Sequence, residues 1–218
     1  MLFRSVSWLS ETLEDRAFHV YMRAADAIID AAYGVYTLAE RRYAAAEAAA
    51  TRHGDPATNM PSYYLRLLAL RDALELTPGD AITDLGCGCG RVLATFARRP
   101  LRYCRGVEFD AGAAGIARTN ASRLRGRRAA IDVVTADAAD YPFDDETLVY
   151  LFNPFGPQTL RAVLVNLRLS LELKPRRLRL CYYNPKHRDV IDATGWLRRT
   201  ATLRGFKTHI EIYTSTVQ

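Results

Sequence analysis

Thr83-Asp84-Leu85-Gly86-Cys87-Gly88-Cys89-Gly90-Arg91 places three glycines at alternate positions directly behind a short apolar run. Glycine has no Cβ and accepts a positive φ, so Gly86, Gly88 and Gly90 can fold a tight loop whose N–H groups face a ligand above a strand. A carboxylate comes next. Gly106-Val107-Glu108 ends a second apolar run, with Glu108 twenty positions after Gly88, where an acid can accept hydrogen bonds from both hydroxyls of an adenosine ribose. A third run, Ile131-Asp132-Val133-Val134-Thr135-Ala136-Asp137, ends in Asp137. That residue is of the type to accept from an adenine amino group, and Asp140 competes for the role. The dinucleotide fingerprint G-x-G-x-x-G is not met, because the third glycine comes one position early and Arg91 stands in its place, which disfavours NAD.

The fourth run, Leu148-Val149-Tyr150-Leu151-Phe152, is too continuously apolar for a half-exposed strand and stops at the turn-forming Asn153-Pro154-Phe155-Gly156. Together these residues resemble the class I S-adenosylmethionine-dependent methyltransferases. Asp84 with Gly86, Gly88 and Gly90 matches the first motif, Glu108 the acidic strand end, Asp137 the adenine-side position. Asn153-Pro154-Phe155 is similar to the N/D-P-P-Y/F element of amine-methylating members, with the second proline missing. The resemblance runs from about Tyr64 to the C-terminus. It implies an α/β Rossmann-like fold, a mostly parallel seven-stranded sheet with helices on both faces and an antiparallel C-terminal hairpin. It also implies S-adenosylmethionine as cofactor, no metal, and methyl transfer to an amine nitrogen of a small molecule or protein side chain.

Under that resemblance each residue has an expected task. Asp84 organises the loop and the cofactor amino group, Glu108 the ribose and Asp137 the adenine, while Asp110 either assists or caps the following helix. Tyr63 or Tyr64 reaches the methionine end of the cofactor or packs its own helix, and Arg91 meets the methionine carboxylate or faces solvent. The Asn153 side-chain oxygen and the Asn153 or Pro154 carbonyl accept hydrogens from the amine, and Phe155 packs on it. Alternatively, Asn153-Pro154 is a strand-ending turn without chemical role. Tyr182 and Tyr183 either line the acceptor pocket or fill the core. An oxygen acceptor would need a general base, for which His187 is the best placed histidine. An RNA base is the rival acceptor, and a non-catalytic cofactor-binding module with an interaction face is the rival from another class.

The chain has 218 residues, enough for one domain with an ample core. Cys87, Cys89, Cys104 and Cys181 show no C-x-x-C spacing, so neither a zinc site nor a disulfide framework is suggested. No apolar run approaches the roughly 20 residues of a membrane span, and a cytoplasmic protein without membrane association is expected. Net charge is +6, almost wholly from arginine, with clusters at 123–128 and 176–179. Phosphate binding is one reading of those clusters, but 24 acidic residues are interspersed and solvated helix and strand ends are favoured over nucleic acid.

An N-terminal helical cap is expected over 1–62 and the cofactor-binding domain over 63–218. Ser10 can N-cap a first helix whose stripe is Leu13, Ala17, Val20, Tyr21, Ala24, Ile28 and Ala32, interrupted at Gly34. A second, alanine-rich helix should end near His53-Gly54-Asp55-Pro56, with a linker over 57–62. Beyond a helix over 63–76, strands near 81–85, 103–108, 131–135, 147–152 and 177–183 alternate with helices near 90–98, 111–124, 157–172 and 187–197. A hairpin over 200–214 closes the chain. Such alternation implies a parallel sheet whose ligand site lies at the strands' carboxyl ends.

Overall fold

A computed structural model describes residues 3–38 and 61–216, with side chains from residue 14 onward. Five strands, β1 (Ala81–Leu85), β2 (Tyr103–Glu108), β3 (Ala130–Thr135), β4 (Leu148–Leu151) and β5 (Arg179–Tyr183), pair in parallel. The last two, β6 (Leu197–Gly205) and β7 (Thr208–Ser215), form the expected hairpin, and β7 inserts antiparallel beside β5. The order across the sheet is β3-β2-β1-β4-β5-β7-β6. The order reverses at β1, which lies between β2 and β4, and that reversal opens a crevice at the carboxyl ends of these strands.

Side chains alternate across each strand, so the two faces bury different sets. Ile82, Cys104, Leu148 and Tyr183 pack with Leu67 and Leu70 of α2 (Tyr64–Ala73) and Leu93 and Phe96 of α3 (Arg91–Phe96). Leu85, Val149, Leu151 and Leu180 pack on the other face with Leu160, Val163, Leu164 and Leu167 of α5 (Pro157–Leu173). Between β2 and β3 runs α4 (Ala111–Arg123), N-capped by Asp110, whose carboxylate accepts from the Ala113 amide.

The N-terminal helix α1 (Phe3–Tyr33) corrects two expectations. It begins before Ser10, which therefore lies inside the helix, and it stops at Gly34, whose φ of 75° only glycine adopts easily. The apolar stripe also faces the wrong way: Val20, Tyr21 and Ile28 are exposed, and Met22, Asp26 and Asp30 form the buried face. Polar partners decide that orientation. The alanine-rich helix expected around 44–46 lies outside the described residues. Near the other end, the helix expected over 187–197 is only α6 (Arg188–Asp192), because Gly195 turns left-handed at φ 71° and β6 starts two residues later.

Candidate functional site

The loop between β1 and α3 is built on its glycines. Gly86, Gly88 and Gly90 take φ values of 71°, 51° and 83°. A Cβ on Gly86 would stand 2.3 Å from Pro154 Cβ, so the loop after β1 and the turn after β4 close directly on one another. Gly106 of β2 lets the loop lie on the sheet, since a Cβ there would be 2.5 Å from Cys87 Sγ. From α4, Asn120 donates to the Cys89 carbonyl at 2.9 Å and exchanges hydrogen bonds with the Tyr36 main chain, tying the loop to the segment after α1.

Glu108 is held over this loop by both carboxylate oxygens. Oε2 accepts from the Gly88 amide at 2.7 Å and Oε1 from the Asp110 amide at 3.0 Å. Burial pushes its carboxyl above the ordinary glutamate value, while the Asp110 and Gly88 amides pull the other way. Asp84 is buried at the end of β1, in register with Gly106 and Tyr150. Asp137 follows β3 and accepts from the Ala139 amide at 2.8 Å, capping a single 3-10 turn (Ala138–Asp140). Asp84, Glu108, Asp110 and Asp137 thus gather at one edge of the sheet, an acidic rim suited to a cationic ligand.

The Asn153 turn is more constrained than its sequence suggests. Asn153 takes a left-handed φ of 47° and is 6% exposed. Its Nδ2 donates to the Asn184 carbonyl at 2.9 Å, and its Oδ1 accepts from the Tyr182 hydroxyl at 2.7 Å and the Lys186 amide at 3.2 Å. Asn184 has the matching φ of 43° and clamps the His209 main chain. Two Asn-Pro turns, after β4 and after β5, are therefore stitched together.

The family model of a methyltransferase domain matches residues 82–171. No curated protein matches the chain by sequence. Among solved structures, a magnesium protoporphyrin IX methyltransferase from Synechocystis with bound S-adenosylmethionine is similar at 19% identity. That match has a TM-score of 0.53 and covers 70% of this chain and 78% of that one. An RNA methyltransferase from Salinibacter ruber in complex with S-adenosylhomocysteine is 20% identical, with TM-score 0.53, over 72% of this chain and 94% of that one. An S-adenosylmethionine-dependent O-methyltransferase from Thermotoga maritima reaches TM-score 0.57 at 14% identity, over 72% and 67%. Residues 82–171 thus match a methyltransferase domain, on a fold shared with solved S-adenosylmethionine-dependent methyltransferases.

The residues fit the methyltransferase cofactor: a left-handed glycine cradle, a carboxylate pre-oriented by two amides, and an acidic rim for a sulfonium. Several expected contacts are nevertheless corrected. Tyr64 is fully buried, and its hydroxyl donates to Asp30 at 2.6 Å, so it serves the protein interior instead of the methionine end of the cofactor. Arg91 neither faces solvent nor sits free at the loop. Nη1 pairs with Asp26 at 2.7 Å and donates to the Ser62 carbonyl at 2.9 Å, and Nε donates to Thr37 Oγ1 at 2.8 Å. Phe155 is in the α5-side core, and Tyr182 and Tyr183 are both about 1% exposed, which makes them core residues, not pocket lining.

Asp26, Asp30, Thr37 and Asn120 were missed by reading the sequence for motifs. The available signal was Met22, Asp26 and Asp30 at i, i+4 and i+8, two acids on one helix face that burial of an arginine would neutralise. Asp26 shows the cost of that burial. Desolvation raises its carboxyl above the ordinary value, with Arg91 and the Tyr64 amide opposing.

Proposed function

We propose that this methyltransferase domain transfers its methyl group to a nitrogen of an amine, on a small molecule or a protein side chain, bound over the ends of β4 and β5. The observation that carries the reading is the contact of Pro154 with Gly86, which sets the Asn153-Pro154 turn against the cofactor loop. The cofactor supplies an electrophilic methyl on a sulfonium, and the domain's task is to hold a nucleophile in line with it. A neutral amine brings its own lone pair, so main-chain carbonyls that accept its hydrogens are sufficient to aim it.

That assignment changes the role of Asn153. Its Oδ1 already accepts from two donors, so the side chain is given to holding the turn, and orientation of the amine falls to the Asn153 and Pro154 carbonyls. Gly86, Gly88, Gly90, Glu108, Asp84 and Asp137 hold the cofactor. In this reading residues 63–218 are the catalytic domain, and the N-terminal part, of which residues 3–38 are described, caps it through α1. No described helix is long and apolar enough to cross a membrane.

Release of S-adenosylhomocysteine, measured against panels of amines, hydroxylated compounds and RNA, tests the acceptor. Turnover confined to amines is expected. Turnover only with hydroxylated compounds would exclude the amine reading and return His187 to consideration as a base.

A further inference from the structure

The edge of the sheet opposite the cofactor carries a set of arginines without ion-pair partners among the described residues. Arg98 and Arg99 precede β2, Arg123 ends α4, and Arg125, Arg127 and Arg128 lie between α4 and β3, so all six stand at the amino-terminal edge of the parallel strands. The two segments touch. Arg98 Nη1 donates to the Arg125 carbonyl, a Cβ on Gly126 would lie 2.6 Å from Arg98 Nη1, and the Arg128 amide donates to the Ala97 carbonyl at 2.7 Å.

Among the described residues, none of these six arginines forms an ion pair. Their side-chain partners are main-chain carbonyls, Ala31 for Arg125 and Ala121 for Arg127, and the Tyr33 ring under Arg98 at 4.3 Å. Between residues 97 and 130 the only acids are Glu108 and Asp110, which belong to the opposite edge. Neighbouring arginines that do have partners, Arg102 with Asp145 and Arg105 with Asp132, show that the chain pairs such charges elsewhere. An unneutralised set of guanidinium groups is a site for phosphates, which each can grip with two N–H groups.

We propose that this arginine edge docks the phosphate backbone of a nucleic acid, a surface separate from the methyl-transfer site. Scale favours a polyanion over a small phosphate. Six guanidinium groups on two touching segments are more than one phosphate can engage, since each can grip a phosphate with two N–H groups. The patch also has no apolar residue to enter a bilayer, because the intervening Leu124 and Ala129 are buried at 7% and 6% exposure.

Fluorescence polarisation with labelled single-stranded RNA, duplex RNA and duplex DNA tests the proposal. With four to six phosphates engaged, log affinity should fall with log salt at a slope of about −3 to −4 for a single strand and about −4 to −5 for a duplex. The variant Arg99→Gln, Arg123→Gln, Arg128→Gln removes three charges whose side chains make no hydrogen bond or ion pair among the described residues. It should flatten the slope by about 2 to 3, weaken low-salt binding more than tenfold, and leave the melting temperature and S-adenosylhomocysteine affinity unchanged. A control carrying Arg161→Gln, Arg198→Gln and Arg204→Gln, also three surface charges, should bind as the parent does. Equal loss in the control, no nucleic-acid binding by the parent, or binding to anionic phosphatidylglycerol vesicles in place of nucleic acid would each overturn the proposal. Cofactor affinity is read separately, so failure here is distinct from failure of the methyltransferase reading.

Discussion

Replacing Arg91 by methionine should show how far the N-terminal helix is part of the catalytic domain. Arg91 opens α3 directly after Gly90, yet it reaches back to α1, where its pair with Asp26 is 2% exposed on both sides. Removing one partner of a buried pair leaves the other charge stranded and costs about 3–5 kcal/mol, out of a total stability of about 5–15 kcal/mol. In a chain of this size each kcal/mol moves the midpoint by about 2–4 °C, so Arg91→Met should melt about 6–20 °C below the parent. The damage should depend on pH. Burial already raises the Asp26 carboxyl and Arg91 opposes that rise, so without Arg91 the folded-state value climbs further above the unfolded one. The folded protein then binds the extra proton. Its penalty is full above that raised value and relieved as pH falls through it, so the gap between variant and parent should narrow on going from neutral to acidic pH. Circular dichroism melts across that range provide the measurement, and the double variant Arg91→Met, Asp26→Leu completes the cycle, with coupling of about 1–3 kcal/mol expected. A single variant melting within about 2 °C of the parent, or a double variant equal to the sum of the two singles, would refute the claim that this pair ties α1 to the cofactor loop.

Gly86→Ala should weaken S-adenosylhomocysteine binding and lower the melting midpoint, because the added Cβ would stand 2.3 Å from Pro154 Cβ and a left-handed φ costs a side-chain-bearing residue about 1–2 kcal/mol; unchanged calorimetric titration would show that the loop can yield. Glu108→Gln should reduce cofactor affinity by about tenfold to a hundredfold, the worth of charged hydrogen bonds of about 1.5–3 kcal/mol. In the parent, affinity should begin to drop at a pH above the ordinary glutamate range, since burial raises this carboxyl, and a pH-independent affinity would remove the ribose assignment. Asn153→Ala should cost about 1–3 kcal/mol of stability by leaving the Tyr182 hydroxyl without its acceptor, and should lower turnover with little change in cofactor affinity; a variant as stable as the parent would mean that the stitched turns contribute nothing. Burial would raise the Glu211 carboxyl, but Tyr213, Arg199 and Arg188 outweigh it and hold it below 4.5. That stabilisation is complete above 4.5 and is lost as pH falls through the lowered value, so Glu211→Gln should melt below the parent at neutral pH and approach it in strong acid.

Much of this fold could be read from residue pattern alone. The strand cores at 81–85 and 103–108 coincide with β1 and β2; the third and fifth strands differ from expectation by one and two residues at their starts, and the fourth by one residue at each end. Local physics decides such segments: continuous apolar runs closed by glycine, proline or asparagine have few alternatives. The first helix was legible as a helix but not in its orientation. Period alone turns Val20, Tyr21 and Ile28 inward, whereas the fold buries Met22, Asp26 and Asp30, because an arginine sixty-five positions away must be neutralised. No window along the chain contains both halves of that pair.

The site divides along the same line. The positions of Gly86, Gly88, Gly90 and Glu108 follow from local chemistry, a strand ending in a loop that needs left-handed residues and an acid placed to accept its amide. Asn153 does not, because a motif states which atoms are present and not which are already engaged. Its oxygen looks available in Asn153-Pro154-Phe155, and it is engaged only because Tyr182 and Lys186 arrive from β5 and the turn beyond it. The second Asn-Pro pair, at Asn184-Pro185, was the sequence's hint of that arrangement. An asparagine that must take a left-handed φ ahead of proline is first a turn residue, and any part it has in methyl transfer is exerted through the carbonyls that the turn aims.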